Sequence, residues 1–106
     1  MTYAVYTTER FEKKIDKLSN ADKEIIQKIC LQLKDNPYVG DAIRYQFFRE
    51  KRIREKRIYY LVYDDLNVVL VVAFGGKKTQ QDTIDEIVRL FPEFRIYAKK
   101  LVKREE

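Results

Sequence analysis

The first third of the chain alternates briefly and then shows apolar residues at helical spacing. Residues 3–7 alternate as in a β-strand. Residues 8–18 place three apolar side chains at i, i+4 and i+7, on one face of a helix. Residues 20–36 form a second amphipathic segment, which stops before Pro37 because the residue preceding a proline avoids the helical region. These segments predict a strand and a helical hairpin, whose helices can be capped by Thr8 and Asn20.

The middle of the chain has the composition of three strands. Residues 45–48 open an extended segment that continues into a basic stretch and turns near residues 54–56. Residues 57–63 are β-branched and aromatic, as strands prefer. After a polar turn at residues 64–67, residues 68–74 are apolar on both faces, and such a strand belongs in the middle of a sheet. Successive strands joined by tight turns predict antiparallel pairing.

The last quarter of the chain has helical spacing again. Residues 79–82 loosely fit a capping box, with Asp82 in place of Glu or Gln, and apolar residues follow at helical intervals as far as Phe91. Pro92 either kinks this helix or opens a new one at its first position. An apolar stripe then continues toward the charged end of the chain and consists of Phe94, Tyr97, Ala98 and Leu101.

Together these elements predict a single α+β domain over residues 1–106 with a mostly antiparallel sheet. The helical hairpin of residues 8–36 is expected to pack on one face, because only that face needs an apolar cover. A C-terminal helical extension spans about residues 92–106. In this arrangement one core should contain Ile26, Ile29, Leu33, Val69 and Val71.

Composition narrows the class of protein. The chain of 106 residues is 45% apolar with only 3 Gly and 2 Pro, which supports one packed core. No stretch approaches the roughly 20 apolar residues of a membrane span, and the first residues do not resemble a signal peptide. The single cysteine, Cys30, cannot form an internal disulfide and lies on an apolar helix face, which indicates a core thiol and a cytoplasmic protein.

Positive charge is concentrated in one segment. The net charge is +5, and residues 44–57 alone carry seven cations against two carboxylates. Clustered cations suit a polyanion, because each neutralised phosphate releases condensed counterions. A solvated, charged strand surface is the alternative interpretation. The seven cations are Arg44, Arg49, Lys51, Arg52, Arg54, Lys56 and Arg57.

The available side chains exclude several kinds of catalytic site. There is no histidine, no phosphate-binding loop and no zinc-ligand spacing, so neither a metal nor a cofactor is expected. The paired carboxylates Asp64 and Asp65 are better explained by a turn than by a metal site. Lys, Arg and Tyr can still cleave RNA, which brings its own 2′-hydroxyl nucleophile, and crowded cations can lower the pKa of a lysine that acts as the base. From the residues alone, binding is favoured over catalysis.

Four strings, taken in order, resemble the RelE/ParE toxin superfamily. Phe11-Glu12-Lys13-Lys14-Ile15-Asp16-Lys17-Leu18 and Leu33-Lys34-Asp35-Asn36-Pro37 resemble the family's opening helices. Arg52-Ile53-Arg54-Glu55-Lys56-Arg57-Ile58-Tyr59-Tyr60 resembles its basic hairpin. Gly76-Lys77-Lys78-Thr79-Gln80 resembles the segment after the last strand in the RelE-like and HigB-like branches.

The resemblance implies the toxin of a type II toxin–antitoxin system. Such a toxin is a ribosome-dependent, metal-free mRNA endonuclease with a microbial-RNase-like fold that inhibits translation. Arg57 matches an arginine present even in relatives that are not nucleases, which leaves RNA contact and a structural role beside Tyr60 both open. The resemblance assigns catalysis to Arg52, Arg54, Lys51 and Lys78. The other cations of the basic stretch and the lysine that follows the last strand are expected to bind RNA, namely Arg44, Arg49, Lys56, Arg57 and Lys77.

The chain departs from the family pattern in two places. Ile84 stands where RelE carries a catalytic tyrosine, and the histidine of the HigB-like branch has no counterpart. An Ile84→Tyr substitution is therefore expected to raise cleavage if the remaining site is competent. The basic hairpin is also shorter and lacks the family's glycine. The alternative function is a RelE/ParE-fold protein that acts by binding, either as a DNA gyrase poison or as an inactive RNA- or antitoxin-binding domain.

The resemblance also implies partners. RelE-type toxins are neutralised by a cognate, RelB-like antitoxin that wraps them partly as a helix, and toxin and antitoxin can assemble as a heterotetramer. The other implied partners are the ribosome and mRNA, with no membrane. The apolar stripe through Phe94, Tyr97 and Leu101 can dock the antitoxin helix or can pack on its own sheet.

Overall fold

A five-stranded sheet runs through the middle of the protein, with helices on both faces. The structure, a computed structural model, describes residues 2–105, apart from the side chain of residue 105. The strands are β1 (Ala4–Thr7), β2 (Asp41–Ile43), β3 (Tyr45–Ile53), β4 (Lys56–Tyr63) and β5 (Val68–Gly76), arranged in the order β1-β5-β4-β3-β2. The helices are α1 (Glu9–Ile15), α2 (Asn20–Asp35), α3 (Gln80–Arg89) and α4 (Phe91–Glu105).

The pairing of the strands confirms the predicted sheet. β1 pairs with β5 in parallel, whereas the other three pairs are antiparallel. β5 lies between β1 and β4, as its apolar character on both faces predicts. The turn between β3 and β4 falls at Arg54 and Glu55, within the range expected from the sequence. β2 is the one strand that the hydrophobic pattern missed, because its three residues are mostly exposed.

The helical hairpin of α1 and α2 covers one face of the sheet. Its core contains Ile26, Ile29 and Leu33 packed with Val69 and Val71, which confirms the predicted set. The partly buried Cys30 packs against this core, and burial raises the pKa of its thiol, as expected for a core residue.

The prediction that only one face needs an apolar cover is wrong. β4 and β5 bury side chains on both of their faces, so the second face requires its own cover. α3 and α4 provide it. The buried residues of this second core include Phe48, Tyr59, Leu70, Ile84, Ile87 and Ala98.

The ends of the helices follow from local hydrogen bonds, with two differences from expectation. Thr8 caps α1, because its Oγ1 accepts a hydrogen bond from the Phe11 amide at 3.2 Å. α2 is capped one residue earlier than predicted, by Ser19, and Asn20 is its first residue. The capping box at the start of α3 is also wrong: Thr79 makes no side-chain cap there, and a 3-10 turn at Lys77–Thr79 precedes the helix.

The C-terminal segment forms a separate helix rather than a kinked continuation of α3. α3 ends at Arg89 and α4 begins at Phe91, so Pro92 lies in its first turn. Phe94 and Leu101 pack against the second core, whereas Tyr97 remains 40% exposed. Most of the apolar stripe therefore packs on its own sheet. None of the helices in residues 2–105 is long and apolar enough to cross a membrane.

Candidate nucleic-acid interface

A cleft rich in cations lies where the β3–β4 hairpin meets the end of β5. It has a volume of about 680 Å³ and is lined by six cations and one carboxylate. Antiparallel pairing brings these segments together, since Arg52 pairs with Arg57 and Lys56 pairs with Gly76. We call it the cationic cleft. Its lining residues are Arg52, Arg54, Glu55, Lys56, Arg57, Gly76, Lys77, Lys78 and Thr79.

Six of the nine site residues expected from the sequence line this cleft. They are Arg52, Arg54, Lys56, Arg57, Lys77 and Lys78. The sequence segments that carry them are separated by about 20 residues, and the sheet brings them to one end of the molecule. The other three, Lys51, Arg44 and Arg49, lie elsewhere.

Lys51 projects from the opposite face of the sheet. It pairs with Ile58, whose side chain belongs to the core beneath α1 and α2, and residues directly opposite each other in a ladder share a face. Arg52, the next residue, points to the other side because side chains alternate along a strand. Lys51 is therefore separated from the arginine with which it was expected to act.

Arg49 is part of the core rather than of the surface. It is 8% exposed, and its guanidinium donates hydrogen bonds to the carbonyls of Gln46, Tyr38 and Gly40 at 3.1, 3.1 and 2.6 Å. It also stacks on the Tyr38 ring, 5.1 Å from its centroid. These contacts tie the segment after α2 to β3 and leave little of the guanidinium for a phosphate.

Arg44 also lies outside the cationic cleft. It is exposed at the β2–β3 turn, where its φ is 62°, and its Nη2 lies 3.8 Å from Asp85 of α3. A surface ion pair at this distance contributes little to stability. Its cation is exposed but sits at the other end of β3 from the hairpin turn.

Arg57 is both a lining residue of the cleft and half of a buried ion pair. Its Nε lies 3.4 Å from Oε1 of Glu50, and only 9% and 19% of the two side chains are exposed. The geometry falls short of a hydrogen bond: Arg57 Nε and Glu50 Oε2 have no hydrogen-bond partner among the described residues. Buried polar groups without a hydrogen-bond partner are rare in proteins, and those that occur are often found at functional sites.

Glu50 is the residue that sequence analysis missed. It pairs directly with Tyr59, and the two side chains lie on the same face of the sheet as Arg57. Tyr59 is fully buried, and burial, reinforced by the Glu50 carboxylate, raises the pKa of its phenol. The sequence held one usable signal, which is that Glu50 lies two residues before Arg52 and so on the same face of β3. That Arg57 of β4 shares this face follows only from the register.

Arg54 occupies the tip of the hairpin in a left-handed conformation with φ 55°. Such a conformation costs a residue other than glycine roughly 1 kcal/mol. Its Nη1 lies 3.3 Å from Oδ1 of Asp22 at the start of α2. The side chain is thus turned toward the helical hairpin, although it lines the cleft as well.

Ile84, which replaces the family's tyrosine, does not face the cleft. It is 7% exposed and packs in the core beneath α3 and α4. The next residue, Asp85, is exposed, so the solvent-facing side of α3 lies away from Ile84. A tyrosine at position 84 would therefore enter the core and not the site.

No group of three or more metal-ligating side chains occurs within the described part of the chain. Asp64 and Asp65 belong to a 3-10 turn, as the turn interpretation expects. Asp64 accepts hydrogen bonds from the hydroxyls of Tyr3 and Tyr38 at 2.7 and 2.6 Å. Asp65 is paired with Arg95 of α4, which lowers the pKa of its carboxyl.

Comparison with solved structures identifies the fold. A doubly substituted E. coli RelE toxin in the free state superposes with a TM-score of 0.71 at 24% identity, over 84% of this chain and 97% of that one. The Mycobacterium tuberculosis toxin–antitoxin complex RelBE2 superposes with a TM-score of 0.64 at 18% identity, over 73% of this chain and 100% of that one. The archaeal RelE–RelB complex of Pyrococcus horikoshii superposes with a TM-score of 0.62 at 18% identity, over 72% of this chain and 96% of that one.

No family model and no curated protein sequence matches this chain. The similarity is therefore one of structure: nearly the whole of each toxin superposes at an identity below 25%. The shared part contains the α+β arrangement that the sequence predicts. The chain has the fold of the RelE toxins.

Proposed function

We propose that this protein is the toxin of a type II toxin–antitoxin system and cleaves mRNA on the ribosome without a metal ion. The observation that carries the proposal is the cationic cleft, in which six cations meet one carboxylate. Fold alone does not determine function, and solved RelE structures support the proposal only as relatives in shape. The cleft supplies the chemistry that a phosphodiester requires.

The cations of the cleft are proposed to bind and activate the phosphate. Arg52, near the end of β3, and Lys78, just after β5, both line the cleft and neutralise the charge that develops on the phosphoryl oxygens. Arg54, Lys56 and Lys77 contact flanking phosphates. Holding the chain in this way aligns the 2′-hydroxyl with the bond to be broken, and such positioning accounts for much of the rate.

Glu50 is the proposed general base. The Arg57 guanidinium, whose Nε lies 3.4 Å from Oε1 of Glu50, orients the carboxylate. Glu50 takes the proton of the 2′-hydroxyl, the 2′-oxygen attacks phosphorus, and the bond to the 5′-oxygen breaks. A lysine of the cleft, Lys77 or Lys78, protonates the leaving 5′-oxygen, which yields a 2′,3′-cyclic phosphate and a 5′-hydroxyl. This assignment replaces Lys51, which lies on the other face of the sheet.

The proposed partners are the ribosome with its mRNA and a RelB-like antitoxin, all in the cytoplasm. The solved structures of similar fold include complexes with RelB, from E. coli and from Pyrococcus horikoshii. A heterotetramer of toxin and antitoxin is one assembly that such a pair can form. A small acidic protein encoded beside this chain would be the antitoxin.

Expression of the protein in growing cells tests the proposal. Translation should stop, and primer extension should map cuts within codons of ribosome-bound mRNA. The Arg52→Ala and Lys78→Ala variants should lose at least about 100-fold of the cleavage while remaining folded. Arg44→Ala is the matched control, because this exposed cation lies outside the cleft.

Two outcomes would contradict the proposal. Growth arrest with intact mRNA and damaged DNA topology would support a gyrase poison. An absence of toxicity in the wild-type protein and in all variants would support a domain that only binds RNA or an antitoxin.

A further inference from the structure

A second pocket lies beside the cationic cleft, on the other side of the β3–β4 hairpin tip. It has a volume of about 300 Å³ and is enclosed between the link from α1 to α2 and the hairpin. Ile26, Ile53 and Phe74 form its apolar wall, and all three otherwise belong to the core. Residues 54–56 line both this pocket and the cationic cleft, so the two sites are continuous around the tip.

Asp22 places a carboxylate in the wall of this pocket. Its Oδ1 is shielded from solvent and receives no hydrogen bond from the described residues, although Arg54 Nη1 lies 3.3 Å away. The position of Asp22 is fixed by the cap of α2, since its amide donates to Ser19 Oγ at 3.2 Å. The pocket thus combines an apolar wall with a positioned hydrogen-bond acceptor.

The charge of the pocket selects a neutral guest. Asp22 and Glu55 balance Arg54 and Lys56 here, so the pocket has no net charge, whereas the neighbouring cleft has an excess of five cations that attracts a phosphate. A nucleic-acid chain that crosses the hairpin tip can therefore leave its phosphates on the cleft side and insert a base on the Asp22 side. Proteins commonly hold unstacked RNA bases against apolar and aromatic side chains and bond to their edges.

We infer that this pocket binds an unstacked guanine of the same RNA, an inference that rests on the proposed function. Among the four RNA bases, only guanine presents two adjacent donors, N1–H and the 2-amino group, on its Watson–Crick edge. Because Oδ1 of Asp22 is shielded beside Arg54, Oδ2 is the oxygen that would accept from both donors, and a carboxylate oxygen has the lone pairs to do so. Arg54 holds the Asp22 carboxylate in place from the tip side, which gives the left-handed backbone of Arg54 a role.

Binding of two single-stranded RNA oligonucleotides tests this inference. They are identical except that inosine, which lacks the 2-amino group, replaces the single guanine of the first. Fluorescence anisotropy should show the inosine oligonucleotide binding the wild-type protein about tenfold more weakly. The Asp22→Asn variant should lose most of this difference, because it removes the charge and one acceptor. Asp16→Asn is the control: Asp16 pairs with Lys23 at 3.9 Å and lies outside the pocket.

The outcomes separate this inference from the proposed function. Equal binding of both oligonucleotides, with a salt dependence that still requires Arg52, would overturn the guanine pocket and leave the cationic cleft intact. Full discrimination by a folded Asp22→Asn variant would also overturn it. If neither oligonucleotide binds in an Arg52-dependent manner, the pocket and the proposed RNA site both fail.

Discussion

Arg57 Nε, which belongs to a lining residue of the cationic cleft, lies 3.4 Å from Oε1 of Glu50 on the neighbouring strand, and both side chains are largely shielded from water. A buried ion pair contributes little net stability, because desolvation offsets the attraction between the charges. A catalytic role explains the pair better than a contribution to folding. The pair places the Glu50 carboxylate next to Arg57, which lines the cleft where the phosphate is proposed to bind.

We therefore predict that Glu50→Gln abolishes cleavage while preserving RNA binding. Loss of a general base typically lowers the rate about 100- to 10,000-fold. Single-turnover cleavage of ribosome-bound mRNA measures the rate, and anisotropy measures binding. Glu93→Gln serves as the control, because Glu93 is exposed on α4 and lies outside the cleft. Unchanged cleavage in folded Glu50→Gln protein would remove Glu50 from the mechanism.

The two arginines Arg49 and Arg52 should behave in opposite ways. Arg49→Met leaves three carbonyl groups without their donor and should lower the free energy of unfolding by about 3 kcal/mol in urea titrations. The slope of RNA affinity against salt should not change. Arg52→Ala should instead leave stability within about 0.5 kcal/mol and reduce that slope by about one. The reverse pattern would place Arg49 at the RNA surface.

These two arginines also illustrate how far the sequence could be interpreted. The basic stretch, the longer strands and the core beneath α1 and α2 can be predicted from the local pattern, and β5 can be placed inside the sheet because it is apolar on both faces. The face of the sheet to which each side chain points cannot be predicted, since a shift of one residue in register exchanges the two faces. Lys51 and Arg52 differ only in this respect. Arg49 is buried by the segment around Gly40, where its guanidinium meets the Gly40 carbonyl at 2.6 Å, a contact between residues nine positions apart.

Glu50 could not be identified for the same reason. An acid in a basic strand is ordinarily a counter-charge on the surface. Only the pairing of Glu50 with Tyr59, and its distance from Arg57, show that it is shielded and turned toward the cleft side of the sheet. The family resemblance does not identify Glu50 either, because the site residues it implies are arginines and lysines, together with the tyrosine that Ile84 replaces.

The structure changes the expected result for Ile84→Tyr. A larger side chain in this packed core should cost about 1–3 kcal/mol of stability, seen as a lower thermal midpoint. Cleavage measured at a temperature where the variant remains folded should not increase. An increase in cleavage would show that α3 moves and presents this position to the RNA.

Stability should fall at alkaline pH because of Tyr63. Burial raises the pKa of Tyr63 to about 12, with Arg95 opposing and Asp65 adding to the shift, and its hydroxyl has no hydrogen-bond partner among the described residues. A phenol with a raised pKa favours folding below its unfolded pKa of about 10, and this contribution is lost as the pH rises toward 12. Urea unfolding at pH 8 and pH 11 should show a smaller alkaline loss in Tyr63→Phe than in the wild-type protein. An equal loss in both would assign the effect to other groups.

The parallel pairing of β1 with β5 determines when the protein can finish folding during its synthesis. Ala4 is in register with Val68, so β1 is translated well before its partner β5 and must wait for it. At about 5–20 residues per second, several seconds separate the two. Until β5 has left the ribosome, the apolar faces of α1 and α2 have no complete sheet to cover, and Lys77 and Lys78 have not reached the hairpin. A nascent copy therefore cannot complete the cationic cleft until β5 and the two lysines that follow it have left the ribosome.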